Sequence, residues 1–465
     1  MKDYEQIIST LLARIADLEK VVAQQAAEIA ELKRRLNKDS SNSSKPPSSD
    51  GLKKASRTSS LREKGKHTSG GQKGHKGTTL KQVAHPEHIV THQLEQCPDC
   101  GRSLSQQIAK GIVKRQVFDL PTVQVEVTEH RAEIKFCTCC QKQVIASFPS
   151  EVKAYTQYGN RIRSWVVYYQ NQHLIPEDRI QQIFMDMYNL PIATASIATY
   201  NKMAYEQLED FETKVLKFAK EAPVKNLDET GFRVGGKTQW MHTLSTPDCT
   251  YYHVSPKRKS LIDGVKGIAV HDHWRPYYQM PNVTHALCNQ HHLRELKALI
   301  EHDKEAWAGQ MSKLLRLMLR CRHRYGDKPI PRFQTSRLGR IYDTIVDQAL
   351  AWHESRPPLV LQKIIRGRPK QRPGHNLLLR LSNHREEVLR FLNDAKVPFT
   401  NNDAERDLRM VKCKQKISGG FRTSLGAEYF ARIRGFISTL RKQELSIINS
   451  IEAAFSGTIP TLSGR

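Results

Sequence analysis

Three acidic side chains in three separate contexts carry the chemistry this chain is equipped for. Asp228 sits in APVKNLDETGFRVGG, Asp272 closes GIAVHD, and Glu405 lies in NNDAERDLRMVK. Carboxylates suit a hard divalent cation: Mg²⁺ takes oxygen ligands and keeps positions open for water and phosphate. Two such ions about 4 Å apart can activate an attacking oxygen and stabilise a leaving one at phosphorus. One acid bridging both ions, with another flanking each, is enough. On a helix over 401–412, Glu405, Arg409 and Lys412 fall at i, i+4 and i+7 and share a face, so a metal ligand precedes two phosphate-binding cations. Arg406 is a further candidate for phosphate. Ala404, Leu408 and Val411 form the adjacent stripe for packing. The same segment has a plainer use, since Asn402 and Glu405 make a capping box that satisfies the first helical amides without catalysis. Glu229 is not expected as a ligand, because neighbours on a strand face opposite ways.

Sulfur and nitrogen donors form a second set. CPDC supplies Cys97 and Cys100, and CTCC supplies Cys137, Cys139 and Cys140. The two CxxC knuckles, Cys97/Cys100 and Cys137/Cys140, can close a tetrahedral thiolate site for Zn²⁺, with Cys139 an alternate ligand. No ligand position is left open, so that zinc is structural. Cys288 and His291, in CNQHHLREL, are two ligands where a zinc site needs more. His292 is a third candidate, and packing with hydrogen bonding is the simpler role. The run Lys257, Arg258, Lys259 either follows a DNA backbone or is a solvated loop. Trp240 is most simply core.

These side chains need elements to hold them. From 223 the pattern reads as strands: KNLDETGFRV, TQWMHTLST, CTYYHVSP, GIAVHDHW and VTHAL, with a short helix near KSLIDGVKG and a helix beginning in CNQHHLREL. Carboxylates on the first strand, at the end of the fourth and on a later helix can meet at one end of a mixed sheet. A mostly helical tract runs to about 395. Residues 151–222 also read as helical, with Pro176 at a first helical position; two helices across a tight turn there are either a helix-turn-helix or a core hairpin. Between the knuckles, QVFDLPTVQVEVTEHRAEIKF alternates apolar and polar residues, as strands of a zinc ribbon would.

Residues 1–36 carry heptads, with Ile8, Ile15, Val22, Ile29 and Leu36 at a and Leu11, Leu18, Gln25 and Leu32 at d. β-branched residues at a with Leu at d favour a parallel two-stranded coiled coil, in which Arg14 faces Glu19 and Glu28 faces Lys33 of the partner. Residues 37–85 are rich in Ser, Gly and Lys and read as a disordered basic linker. The chain has 465 residues and a formal charge of +26, which points to a polyanionic partner, double-stranded DNA first. No apolar run approaches the roughly 18 residues a membrane helix needs. Nothing at MKDYEQIIST reads as a signal peptide, so the expectation is a cytoplasmic protein with reduced cysteines.

The motifs together resemble the DDE transposases of the insertion-sequence-66 family. The resemblance runs through the zipper, the SSNSSKPPSSD linker, GGQKGHKG, the cysteine knuckles, Asp228–Glu229–Thr230, HDHWRPYY with Asp272, Cys288 and His291, and Asn401, Asn402, Ala404, Glu405 and Arg406. Trp274 stands where the commoner pattern has Tyr, and KCKQKISGGFRT departs from the usual tail. The resemblance implies a multidomain α/β chain: coiled coil 1–36, linker 37–85, zinc-binding domain 86–150, helical domain 151–222, ribonuclease-H-like catalytic domain 223–455 with a helical insertion over about 297–395, and a tail 456–465. It implies two Mg²⁺ or Mn²⁺ ions held by Asp228, Asp272 and Glu405, cleavage at terminal inverted repeats, and joining of the 3′-hydroxyl to target DNA. The resemblance implies transposon ends and target DNA as partners, and the heptads a second copy; some elements of the family also encode small accessory proteins, whose need here the sequence leaves open. The rival reading is a non-enzymatic, zinc-dependent DNA-binding repressor whose catalytic core has decayed.

Overall fold

The computed structural model describes residues 2–37, 42, 80–120, 124–357 and 371–462. Most of the 37–85 linker lies outside them. The chain divides into two compact units, Ser59–Glu129 and the remainder.

In the smaller unit, a tight knuckle forms at Cys97–Cys100. The Cys97 amide donates to Arg102 O and the Gly101 amide to Cys97 O, both at 2.9 Å. The Gln116 side chain clasps Val83 through two backbone hydrogen bonds of 2.8 Å. The ribbon strands expected between the knuckles do not form over 116–120 or 124–133. A strand needs a covered face, and Val117, Leu120 and Val127 stay exposed.

In the larger unit, α1 (Lys2–Leu36) is one continuous helix of 35 residues. Its a and d side chains, Ile8, Leu11, Ile15, Leu18, Val22, Ile29 and Leu32, are all exposed. A hairpin of β1 (Ile134–Cys137) and β2 (Lys142–Ile145) holds the second knuckle in its turn. Helices α2 (Asn160–Asn171), α3 (Glu177–Tyr188), α4 (Thr194–Gln207) and α5 (Glu209–Glu221) follow. Pro176 caps α3 rather than opening it.

A five-stranded sheet forms next, from β3 (Val224–Val234), β4 (Lys237–Ser245), β5 (Thr250–Ser255), β6 (Gly267–His271) and β7 (Val283–Leu287), in the order β5-β4-β3-β6-β7. The first three strands are antiparallel, while β3–β6 and β6–β7 are parallel. Gly235 and Gly236, at φ 52° and 78°, make the two-residue turn between β3 and β4, a conformation that side chains resist. The helix expected near KSLIDGVKG is absent, and 256–266 is turn and coil. Gly267, at φ 77°, ends it: a Cβ there would meet Pro223 O at 2.9 Å.

After β7 come α6 (Asn289–Ala298), α7 (Ala306–Tyr325), α8 (Arg332–Glu354), α9 (Pro373–Asn383) and α10 (Arg385–Asn393), then α11 (Asn402–Ser418), α12 (Ser424–Lys442) and α13 (Ile447–Phe455). Helix α11 lies on β3 and β4, and α12 on β5. Every residue of α12 from Phe430 to Leu440 is buried, because the sheet covers one side and α2, α4 and α5 the other. Val166, Ile197, Phe211 and Val215 thus share a core with Leu227, Leu244, Ile433, Phe436 and Ile451. The boundary drawn at 222/223 cuts through this core. The helical pair over 177–207 contributes Ile180, Phe184 and Ile197 to it.

Candidate active site

The parallel register explains how two of the acids meet. Val224 lies opposite Ile268, and Asn226 opposite Val270. The ladder stops there, β6 ends at His271, and Asp272 follows it directly, near enough for its charge to act on Asp228. Both side chains are half-buried. The Trp274 amide donates to Asp272 Oδ1 at 2.8 Å, and the Glu229 amide to Asp228 Oδ1 at 2.9 Å. Burial pushes the Asp228 carboxyl well above the usual carboxylate range, and the charges of Glu229, Asp272 and Glu405 push it further. Glu405 is therefore an electrostatic neighbour of Asp228, although it comes from α11.

Asn401 seats that helix. Its side-chain amide donates to Leu227 O at 2.7 Å, just before Asp228, and its backbone amide donates to Cys288 Sγ at 3.1 Å. The expected capping box does not form: the helix starts at Asn402, Asn401 takes the cap position, and no side chain caps it. The stripe of Ala404, Leu408 and Val411 is buried as the periodicity indicates. Asp407 is buried as well, and it is a residue whose role sequence reasoning missed. Its Oδ2 accepts from Ser245 and Thr250 hydroxyls at 2.8 Å and from Lys442 Nζ at 3.0 Å, tying α11 to β4, β5 and α12. The signal was available, because two residues from Glu405 is about 200° round a helix and points to the core.

The cations divide into two groups. Arg409 is exposed, and Arg406, also exposed, pairs with Asp403 at 2.8 Å. Lys257 and Lys259 are exposed. Lys412, half-buried, donates to Gly231 O, and burial lowers its pKa. Arg258 gives Nε and Nη2 to Glu229 Oε1 at 2.9 and 2.6 Å, with Trp240 and Trp274 rings at 5.0 and 4.3 Å. Tyr277 donates to the other Glu229 oxygen. Glu229 thus has both oxygens engaged, and Trp274 serves as one wall of the guanidinium slot.

Next to the acids lies a nest of imidazoles. His273 and His292 share a hydrogen bond of 2.6 Å between their Nε2 atoms, and Asn289 Oδ1 lies 2.9 Å from His292 Nδ1. Burial takes His292 down to about 3 and His271 likewise to about 3, so both are neutral. His292 is spent on this network. His291 behaves oppositely: burial disfavours its charge, but Cys288 and Glu405 prevail and push it up to about 9. Among the described residues, Cys288, His291 and Glu405 are a set of donors whose atoms lie within 4.8 Å of one another. Among the described residues no group that tight includes Asp228 or Asp272, which are linked to Glu405 by the charges acting on Asp228.

The knuckle cysteines have their own local chemistry. Backbone amides of Asp99 and Cys100 lower the Cys97 thiol, and those of Cys140 and Cys139 lower the Cys137 thiol. A zinc ion binds cysteine in its deprotonated form, which a lowered pKa favours.

Comparison with known families places these features. Residues 155–429 match the model of the transposase IS66 family, and residues 95–141 match the zinc-finger binding domain of transposase IS66. Residues 4–81 match a family of unknown function. No curated protein matches the chain. Among the described residues, no helix is long and apolar enough to cross a membrane.

Proposed function

This chain belongs to the transposase IS66 family, and from that premise we propose that it cuts DNA at the terminal inverted repeats of an insertion sequence and joins the freed 3′-hydroxyl to target DNA. One observation carries the reading. Asp228 is pushed upward by burial, then by the charges of Glu229, Asp272 and Glu405, so acids from β3, the end of β6 and α11 lie within electrostatic reach of Asp228. Crowded carboxylates resist ionising together unless cations join them. Glu405 Oε1 is shielded and has no hydrogen-bond partner. Both features suit Mg²⁺ or Mn²⁺, two per site, held by Asp228, Asp272 and Glu405. Bound ions of this kind activate the attacking oxygen and stabilise the leaving oxygen at phosphorus.

The chain's own residues supply placement. The parallel pairing of β3 with β6 supports bringing Asp228 and Asp272 together, Asn401 anchors the helix of the third acid to Leu227 O, and the Trp274 amide bonds Asp272. Arg258 and Tyr277 hold Glu229 out of the ligand set. Exposed Arg406, Arg409, Lys257 and Lys259 are the phosphate contacts, while Lys412 and Arg258 act as braces. Three antiparallel strands followed by two parallel ones, in the order β5-β4-β3-β6-β7, support a ribonuclease-H-like core with α7 to α10 as its helical insertion. Cys97, Cys100, Cys137 and Cys140 are the ligands of the finger's structural zinc, and α1 pairs with a second copy.

The test uses purified protein with labelled element ends, in Mg²⁺ against Ca²⁺ or EDTA. Mg²⁺ supports cutting, and EDTA abolishes it. Glu405→Gln is expected to lose cutting by at least about 100-fold while still retarding end DNA in a gel. Cutting by that variant at the normal rate would remove Glu405 from the mechanism. Binding without cutting by the unaltered chain would favour the repressor.

A further inference from the structure

The proposed mechanism leaves two groups unused, Cys288 and His291, and both lie against its third acid. Each donor is fixed by a different device. Cys288 is buried between β7 and α6, its sulfur accepting the Asn401 amide at 3.1 Å. His291 follows in the first turn of α6. Arg294 Nη2 stands 3.4 Å from Glu405 Oε2, and Glu405 Oε1 faces His291 Nδ1 at 4.0 Å. Those last two atoms are shielded from solvent, and neither has a hydrogen-bond partner.

A buried donor or acceptor left without a hydrogen bond is costly, and here two such atoms stand 4.0 Å apart. A tetrahedral zinc ion with bonds of about 2.0–2.1 Å sets nitrogen and oxygen about 3.4 Å apart, so a closure of about 0.6 Å completes the contact. The sulfur lies within the same 4.8 Å group. Thiolate, imidazole and carboxylate together select a borderline-soft ion over Mg²⁺. Three protein ligands leave a fourth position for water. The Arg294 charge, held at Oε2, tempers affinity and keeps such an ion exchangeable.

We propose that Cys288, His291 and Glu405 bind a zinc-class divalent ion, and that this ion competes with the hard ions of the cutting site by engaging Glu405. The binding stands on geometry alone, whereas the competition rests on the proposed function. It would make strand cutting depend on the ratio of soft to hard divalent ions.

The probe is Co²⁺, added to full-length protein carrying one equivalent of zinc, which the four thiols of the finger retain. One further equivalent of Co²⁺ is expected to develop a thiolate-to-cobalt charge-transfer band, which carboxylate sites cannot give, and excess Mg²⁺ should weaken it. Cys288→Ser should lose the band. Because Cys288 is part of the core, His291→Gln is the companion variant, expected to weaken Co²⁺ uptake roughly tenfold or more with the thermal melt retained. No band in the unaltered chain, a full band in Cys288→Ser, or unchanged uptake in His291→Gln overturns the site. In parallel, Zn²⁺ should slow end cutting and added Mg²⁺ should restore it; cutting indifferent to Zn²⁺ despite a full band overturns the competition. A full band in a chain that never cuts DNA upholds the metal site and sinks the transposase mechanism, so the two failures are separable.

Discussion

At the scale of single residues, the three proposed catalytic acids stand out in the sequence because their types are rare where they stand. An acid within an apolar strand, a second at a strand end and a third on a helix narrow the choices without coordinates. What stayed hidden was support. Asp407 and Asn401 are polar residues in a polar-looking motif, and only the tertiary structure reveals that one is sealed among Ser245, Thr250 and Lys442 while the other reaches Leu227 O. Arg258, exposed within its basic run, has a second set of partners that the sequence does not announce, Glu229 and two indoles. The Asp407 cluster makes a prediction at this scale. Removing one partner of a buried ion pair strands the other, at roughly 3–5 kcal/mol. Asp407→Ala should therefore lower the melting temperature by several degrees or more and loosen α11. The double variant Asp407→Ala with Lys442→Met should recover much of the loss, since no charge is left stranded. Equal melting of Asp407→Ala and the unaltered chain would mean that the pair does not hold the helix.

Elements were legible where one periodicity dominated. All five strands from 224 to 287 appear in the expected order, since their apolar residues have a covered face to serve. The alternation over 116–133 was equally regular but misleading, because alternation records only a tendency and Val117, Leu120 and Val127 find no cover. The other miss is KSLIDGVKG, where Gly264 and Gly267 both take a positive φ that a right-handed helix does not use. Helix α1 is the element whose pattern most demands a partner. Ile8, Ile15, Val22 and Ile29 alternate with Leu11, Leu18 and Leu32 along one stripe, and each is 50 % exposed or more. A surface helix normally turns such a stripe toward its own core, so in the proposed dimer it faces the same stripe on a second copy. Deleting residues 1–36 should halve the mass measured by light scattering. A deletion variant with undiminished mass would move the dimer contact elsewhere.

At the scale of the whole molecule, the domain borders were the least legible feature. A change from helical to strand periodicity at 222/223 looks like a border, yet hydrophobic cores ignore periodicity and are defined by what touches. Phe211 meets Phe436 edge-on at 4.9 Å. Arg432 bonds Glu212 at 2.6 Å, and Arg434 bonds Gln172 at 2.5 Å. The matched family model likewise begins at residue 155, before α2, and not at 223. A fragment starting at 223 would expose Ile433, Phe436, Ile437 and Leu440 on α12, all buried in the intact chain. At roughly 1.5–3 kcal/mol for each side chain, that loss is comparable to the whole stability of a domain, about 5–15 kcal/mol. Arg432 and Arg434 would lose their partners as well. The fragment 223–465 should therefore fail to melt cooperatively and should bind a hydrophobic dye, whereas 151–465, which keeps α2 to α5, should give one sharp transition. A cooperative melt of the shorter fragment would restore the border at 222/223 and leave the helices as a separate module free to do other work.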